Sequence, residues 1–168
     1  MNNYAFIDSQ NVNLAIRDQG WKLNWKRLRI YLKDKYKIEK AFYFLGYSKE
    51  ENLWLYKKLE EAWFIIIFKE QKLDSLSKKK WNIDSDLIFH IMKELVINPE
   101  IFDKVLLVSW DWDFKILVKF LIEQNKFKKI IFPSKKYVSS LYKTINISFK
   151  DYLINFKEKI KYKKRWAS

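Results

Sequence analysis

The feature that most constrains this fold is a repeated alternation of short apolar runs with segments of helical periodicity. Apolar runs of strand length occur at residues 4–7, 41–45, 63–68, 104–108 and 129–132. Segments with helical spacing separate them, at residues 23–36, 49–61, 84–96 and 114–124. This alternation is typical of a mostly parallel sheet with helices on both faces. We therefore predict one α/β domain with a central sheet of about five strands flanked by helices.

The weaker patterns predict the remaining elements. A polar, lysine-rich loop is expected over residues 69–81, a short helix near residues 137–142 and an edge strand near residues 145–147. The last stretch, residues 157–165, holds six basic residues and one glutamate. It is either a solvated end or an arm that contacts phosphates. We place the folded domain at residues 1–153 and a basic tail at residues 154–168.

Length and residue content exclude several classes of protein. A chain of 168 residues with 49% hydrophobic residues can form one domain with one core. Because there is no cysteine, disulfides and thiolate metal sites are excluded. No apolar run approaches the length that spans a bilayer, and the first residues lack the pattern of a signal peptide. We expect a cytoplasmic protein with no membrane segment.

The charge of the chain predicts a polyanionic partner. The formal net charge is +14 and the pI is about 9.7. An excess of this size attracts nucleic acid. Lysine usage in an organism with a lysine-rich proteome is the alternative explanation, because the chain is also rich in Ile, Asn, Phe and Tyr.

Aspartates follow two of the predicted strands. Asp8 ends the first apolar run, and Asp111 and Asp113 follow the fourth. Parallel strands place their carboxyl ends at one edge of the sheet, where ligands of open α/β sheets bind. Asp84 and Asp86 begin a predicted helix. Helix capping and Asx-turns explain each aspartate singly, whereas a converging set of carboxylates is a hard-oxygen site suited to Mg²⁺ or Mn²⁺.

Other catalytic designs find little support in the sequence. With one histidine, His90, the sequence favours neither a Ser-His-Asp triad nor an acid–base mechanism that uses a pair of histidines. A lone helical histidine is more often a packed or surface residue. The phosphate-binding pattern G-x-x-x-x-G-K-[ST] is absent, which excludes a P-loop NTPase.

Three segments resemble a known family. Residues 6–11 (FIDSQN) are similar to the opening motif F-I-D-G-x-N of NYN domains. Residues 80–87 (KWNIDSDL) and 108–114 (VSWDWDF) are similar to the family's K-G-x-V-D-V-x-L and V-S-G-D-G-D-F segments, in the family's order. The resemblance implies a PIN-like Rossmannoid fold, a divalent-metal site and hydrolysis of RNA. It implies metal or catalytic roles for Asp8, Asp84, Asp111 and Asp113, with Asn11 and Ser109 in support.

The chain departs from the family pattern at one acidic position. Six residues after Asp84, where the family often has another aspartate, the chain has His90. His90 lies one helical turn after Asp86, so the two are expected to share a helix face. This pair either supports the metal site or marks a weakened one.

Tryptophan replaces glycine at several family positions. Trp81, Trp110 and Trp112 stand where the family has Gly, and Trp63 stands where a glycine that ends a helix is expected. The chain has 8 Trp and only 2 Gly. We hypothesise that UGA codons, which the source organism reads as glycine, are written here as tryptophan. Taken literally, the indoles beside Asp111 are expected to obstruct the site, although stacking on RNA bases is the alternative.

The favoured interpretation is a ribonuclease that uses Mg²⁺ or Mn²⁺. RNA contacts are expected from basic residues of the loop and the tail, namely Lys78, Lys79, Lys80, Lys163, Lys164 and Arg165. The alternatives are a non-catalytic RNA-binding module with a degenerate pocket, and another magnesium-dependent phosphohydrolase. A toxin of a toxin–antitoxin pair is the same chemistry in another setting, and self-association as a homodimer stays open.

Overall fold

A computed structural model describes residues 1–46, 48–69 and 83–163. The basic positions Lys78, Lys79, Lys80, Lys164 and Arg165, together with Trp81, lie outside these ranges. Within them, no helix combines the length and the apolar character needed to cross a membrane.

The described chain alternates strands and helices. The strands are Asn3–Asp8 (β1), Ile38–Leu45 (β2), Ile65–Phe68 (β3), Val105–Val108 (β4), Phe127–Phe132 (β5) and Lys150–Tyr152 (β6). The helices are Ser9–Asp18 (α1), Trp25–Tyr36 (α2), Leu53–Glu61 (α3), Ile83–Ile97 (α4), Lys115–Glu123 (α5) and Lys157–Ile160 (α6). Short 3₁₀ turns occur at Glu50–Asn52, Trp112–Phe114, Ser140–Thr144, Ile147–Phe149 and Leu153–Phe156.

The strands form one parallel sheet in the order β3-β2-β1-β4-β5-β6. In the register, Ile7 of β1 pairs with Tyr43 of β2 on one side and with Val108 of β4 on the other. Asp8 follows Ile7, and Ser109 follows Val108. These two residues therefore meet at the carboxyl edge of the sheet. The predicted single α/β domain is confirmed.

The core has one cluster on each face of the sheet. Alternate residues of a strand point to opposite faces, so Ala5 and Ile7 join one cluster, while Tyr4 and Phe6 join the other. The first cluster includes side chains of α1, α2, α3 and α6, and the second includes side chains of α4 and α5. The sheet is thus covered on both faces, as a parallel sheet requires.

Three local predictions differ from the structure. Within the described ranges the sheet has six strands, and the last is Lys150–Tyr152 rather than residues 145–147. Ile145 is 5% exposed and packs in the core from a loop, so its apolar character serves burial rather than strand pairing. Residues 137–142 do not form an α-helix; a 3₁₀ turn, Ser140–Thr144, overlaps them. The helix α1 was not predicted, because most residues in Ser9–Asp18 are polar.

The segment predicted as a basic tail begins inside the fold. Phe156 and Ile160 are 4% and 0% exposed and belong to the first core cluster. Lys161 then forms an isolated antiparallel bridge with Leu23. Apolar side chains placed between the lysines therefore pack against the core as far as Ile160, and the predicted domain boundary at residue 153 stays a prediction.

Candidate metal centre

Asp8 ends β1 and caps α1. Its Oδ1 accepts hydrogen bonds from the backbone N–H groups of Gln10, at 3.0 Å, and Asn11, at 3.3 Å. Its Oδ2 accepts from the Asn11 side-chain amide and from the Ser109 hydroxyl, at 3.3 Å. Because only 2% of Asp8 is exposed, burial raises the pKa of this carboxyl, and the donated hydrogen bonds lower it in part.

The turn after β4 is tied to Asp8 and to α1. The Ser109 hydroxyl, which donates to Asp8, also accepts the N–H of Asp111 at 3.1 Å. The N–H of Trp110 donates to Asn11 Oδ1 at 3.4 Å. Ser109 and Asn11 therefore connect the ends of the two strands, and their predicted supporting role at a metal site stays a prediction.

Asp111 also has a local structural role. Its Oδ1 accepts the N–H of Asp113 at 3.1 Å and caps the 3₁₀ turn Trp112–Phe114. Its backbone carbonyl accepts a hydrogen bond from the buried Tyr142 hydroxyl. Burial, together with the negative charges of Asp111, Asp113 and Asp84, raises the pKa of Tyr142. Tyr142 therefore remains a protonated donor that holds the Asp111 turn in place.

Three carboxylates converge at the carboxyl edge of the sheet. Asp84, Asp111 and Asp113 can each present one ligand oxygen such that these atoms all lie within 4.8 Å of one another. We call these three residues the acidic triad. Asp84 comes from the first turn of α4 and is 6% exposed. Like charges at this spacing repel unless a cation or a proton compensates them, and oxygen ligands suit a hard divalent ion.

Asp8 is adjacent to the acidic triad rather than part of it. Among the described residues, the group that meets the spacing above contains Asp84, Asp111 and Asp113. Asp8 connects to Asp111 through the Ser109 hydroxyl. The predicted role of Asp8 as a direct ligand therefore stays a prediction, and the observed contacts give it an orienting position.

The acidic triad borders an open cleft of about 380 Å³. Asp84 and Asp113 contribute to its wall, and the remaining lining residues are Ser85, Ile88, Trp112, Lys115, Ile116 and Leu141. We call this space the acidic cleft. Lys115 adds a cation beside the carboxylates. Sequence reasoning did not identify Lys115 or Tyr142, although Lys115 follows directly on the motif that contains Asp113.

The structure does not bring Asp86 and His90 to the acidic triad. Asp86 is exposed on α4. The His90 ring packs against the rings of Phe42, Phe44 and Phe6, at centroid distances of 5.0, 5.7 and 6.0 Å. Burial lowers the pKa of His90. The imidazole of His90 is used in aromatic packing, and the predicted support of a metal site by Asp86 and His90 stays a prediction.

The tryptophans occupy three different environments. Trp63 follows α3 with a left-handed backbone, at φ 65°, and is 80% exposed. Trp110 packs against Tyr137 at a centroid distance of 5.0 Å and is not one of the residues that line the acidic cleft. Trp112 lines the cleft and is 59% exposed. Of these three described tryptophans, Trp63 alone has the positive φ that favours glycine. The expected glycine backbone is therefore found at the helix end and not beside Asp111.

Two comparisons with known proteins agree with this geometry. The family model described as NYN domain matches residues 4–151. A crystal structure of a protein of unknown function from Vibrio parahaemolyticus is similar, with a TM-score of 0.61 and 21% identity. That similarity covers 89% of this chain and 90% of the other, and at this identity it shows the fold alone. No curated protein matches the sequence.

Proposed function

Since the chain belongs to the NYN domain family, a PIN-like nuclease family, we propose that it is a ribonuclease that depends on a divalent metal ion. The observation that carries this proposal is the convergence of Asp84, Asp111 and Asp113 at the carboxyl edge of the sheet. Mg²⁺ and Mn²⁺ fit this site because all of the ligand atoms are carboxylate oxygens.

The acidic triad and Lys115 have different roles in this proposal. Asp84, Asp111 and Asp113 would hold the ion. When bound, such an ion stabilises negative charge on a phosphate and makes water a better nucleophile near neutral pH. Lys115, on the wall of the same cleft, binds a phosphate oxygen of the RNA backbone and orients the bond that is cut.

A second layer of hydrogen bonds orients the ligands. Asp8 holds the Ser109 hydroxyl, and that hydroxyl accepts the N–H of Asp111. Tyr142 holds the backbone carbonyl of the same residue. Contacts of this kind commonly change metal affinity or activity by about 10- to 100-fold when they are removed.

The test is cleavage of an end-labelled single-stranded RNA with Mg²⁺ or Mn²⁺. The chain is compared with Asp111→Asn, which removes a ligand charge but keeps an oxygen for the cap, and with Asp34→Asn as the matched control. Asp34 is exposed on α2. We expect cleavage by the chain and by the Asp34 variant, and a loss of at least about 100-fold in the Asp111 variant.

The alternative is a module that binds RNA without cutting it. Trp112 favours this alternative, because its indole lines the acidic cleft where a substrate phosphate must enter. A Trp112→Gly variant separates the two functions. Cleavage in this variant alone supports a nuclease that the indole obstructs. Binding of RNA with no metal-dependent cleavage by either form contradicts the ribonuclease proposal.

A further inference from the structure

A second concave surface shares no lining residue with the acidic cleft. Its volume is about 820 Å³, and its walls come from α1, the loop before α2, the first residues of α2, α3 and Tyr162. We call it the basic–aromatic groove. No described residue of the three family-like motifs lines it.

Aromatic rings line the groove along its length. Trp21 and Trp25 are half-buried and pack against the first core cluster, and the edge of Trp25 meets Tyr43 at a centroid distance of 5.2 Å. Trp54 and Tyr162 are 58% and 57% exposed. The inner rings are therefore held rigidly by the core, and the outer rings present accessible surface.

The charges on the groove have one predominant sign. Arg17, Lys22, Lys26 and Lys58 line it, against a single carboxylate, Glu61. None of the four cations makes an ion pair with a carboxylate of the described ranges. Lys58 lies over the Trp54 ring, at 5.0 Å from its centroid. The groove thus attracts anions and leaves its cations available for them.

Rings alternating with cations are the surface that suits a single nucleic-acid strand. Unpaired bases stack on aromatic side chains while the phosphates meet lysine and arginine. A duplex also offers phosphates to the cations, but its bases are stacked on one another, so their faces cannot stack on the aromatic rings. We propose that the basic–aromatic groove binds single-stranded RNA as a subsite of the ribonuclease, next to the segment that is cut. This inference rests on the proposed function.

The helix α1 defines the path between the groove and the acidic cleft. Asn11 faces the Trp110 turn, and Asp18 accepts a hydrogen bond from Tyr137, near the end of β5. Asn13 and Arg17, which line the groove, lie about 200° and 240° around the helix from Asn11. A strand that occupies both sites crosses one helix, whose diameter with side chains is about 10–12 Å.

The experiment measures binding of a fluorescent 12-nucleotide single-stranded RNA in EDTA, where the metal-dependent reaction does not proceed. Lys22→Glu/Lys26→Glu is compared with Lys33→Glu/Lys119→Glu, a control with the same change in net charge. All four lysines are exposed, and the control pair lies outside the groove. We expect the groove variant to bind about tenfold more weakly than the control, with a salt slope smaller by about 1.4 for two lost phosphate contacts.

A second pair of variants tests stacking. Trp54→Ala should weaken binding of the single strand about tenfold, which corresponds to the loss of one stacked base. Trp54→Phe retains a ring face and should keep most of the affinity for the single strand. Binding of a 12-base-pair RNA duplex should respond much less to either change at Trp54.

The outcomes separate this inference from the proposed function. Equal RNA binding by the groove variant and its control overturns the inference, even if Asp111→Asn abolishes cleavage. The groove would then be a candidate site for a protein segment instead. Equal responses of duplex and single strand to Trp54→Ala also overturn it. Weaker binding of the single strand by the groove variant supports RNA binding in the groove. Asp111→Asn should bind RNA as the unaltered chain does, and its cleavage assay tests the proposed ribonuclease activity separately.

Discussion

The acidic cleft and the basic–aromatic groove share no lining residue and are built in opposite ways. The cleft concentrates three like charges within 4.8 Å and supports them with buried hydrogen bonds through Ser109 and Tyr142. The groove spreads four cations over an open surface, with rings between them. Concentrated charge favours one small ion, whereas dispersed charge favours a long polymer. The comparison therefore separates chemistry from binding, and each half can be altered alone.

The largest effect is expected from Asp84→Asn. Loss of one ligand charge should reduce metal-dependent cleavage by more than about 100-fold, since even supporting residues of metal sites contribute 10- to 100-fold. Binding of RNA in EDTA should remain close to that of the unaltered chain.

Thermal unfolding checks the cause of that effect. Mg²⁺ or Mn²⁺ at about 100 times its dissociation constant should stabilise the unaltered chain by about 2.7 kcal/mol. The Asp84 variant should lose most of this gain. An equal stabilisation of both proteins would show that the ion binds elsewhere, and would contradict the assignment of metal binding to the acidic cleft.

The second prediction concerns salt. If the four groove cations each contact one phosphate, the logarithm of the RNA binding constant should fall with a slope of about −2.8 against the logarithm of salt concentration. Between 50 and 200 mM salt, affinity should then fall by roughly 50-fold. Cleavage measured at saturating RNA should change little. A salt dependence that resides mainly in the cleavage step would contradict the assignment of binding to the groove.

The third prediction targets the connection between Asp8 and the acidic triad. Ser109→Ala removes the hydroxyl that donates to Asp8 and accepts from Asp111. Because Ser109 is 1% exposed, the free energy of unfolding should fall by about 1–3 kcal/mol. Cleavage should fall about tenfold. Denaturant unfolding and turnover measure the two effects, and Ser148→Ala, at an exposed serine, is the control that should change neither.

The smallest effect is expected at Trp63, which lies outside both sites. Its left-handed backbone, at φ 65°, costs a non-glycine residue roughly 1–2 kcal/mol. Trp63→Gly should therefore raise the free energy of unfolding by about 1 kcal/mol in denaturant unfolding. Trp112→Gly should give no such gain, because Trp112 lacks a positive φ.

The gene provides a separate test of the tryptophans. UGA codons at Trp63, Trp110 and Trp112 would support their reading as glycine, and UGG codons would refute it. The packing of Trp25 against Tyr43 favours a genuine tryptophan at that position. The comparison of Trp25 with Trp63 therefore sharpens the hypothesis residue by residue.

Much of the architecture was predictable because periodicity is local. The alternation of apolar runs and helical segments predicted the α/β class, and most strands fall within a few residues of their predicted positions. Prediction failed where local pattern and tertiary use diverge. Ile145 is apolar but buried in a loop, and α1 is polar but held by the Asp8 cap and by Asn11.

The candidate site was predictable to a similar degree. Asp111 and Asp113 are neighbours in a motif, and parallel topology places the end of their strand at the same edge of the sheet as Asp8. That Asp84 reaches this edge while Asp86 stays exposed depends on the rotation of α4, which packing decides. His90 shows the same limit, because an imidazole that suits a metal also suits an aromatic core.

The sequence by itself determined the fold class, the family and the carboxylates that can meet, because each depends on spacing along the chain. Only the tertiary structure decided which carboxylates converge, that Lys115 joins them, and that Arg17, Trp25, Lys58 and Tyr162 share one groove. These residues are distant in sequence. Their proximity follows from the packing of helices on both faces of the sheet, which no local pattern encodes.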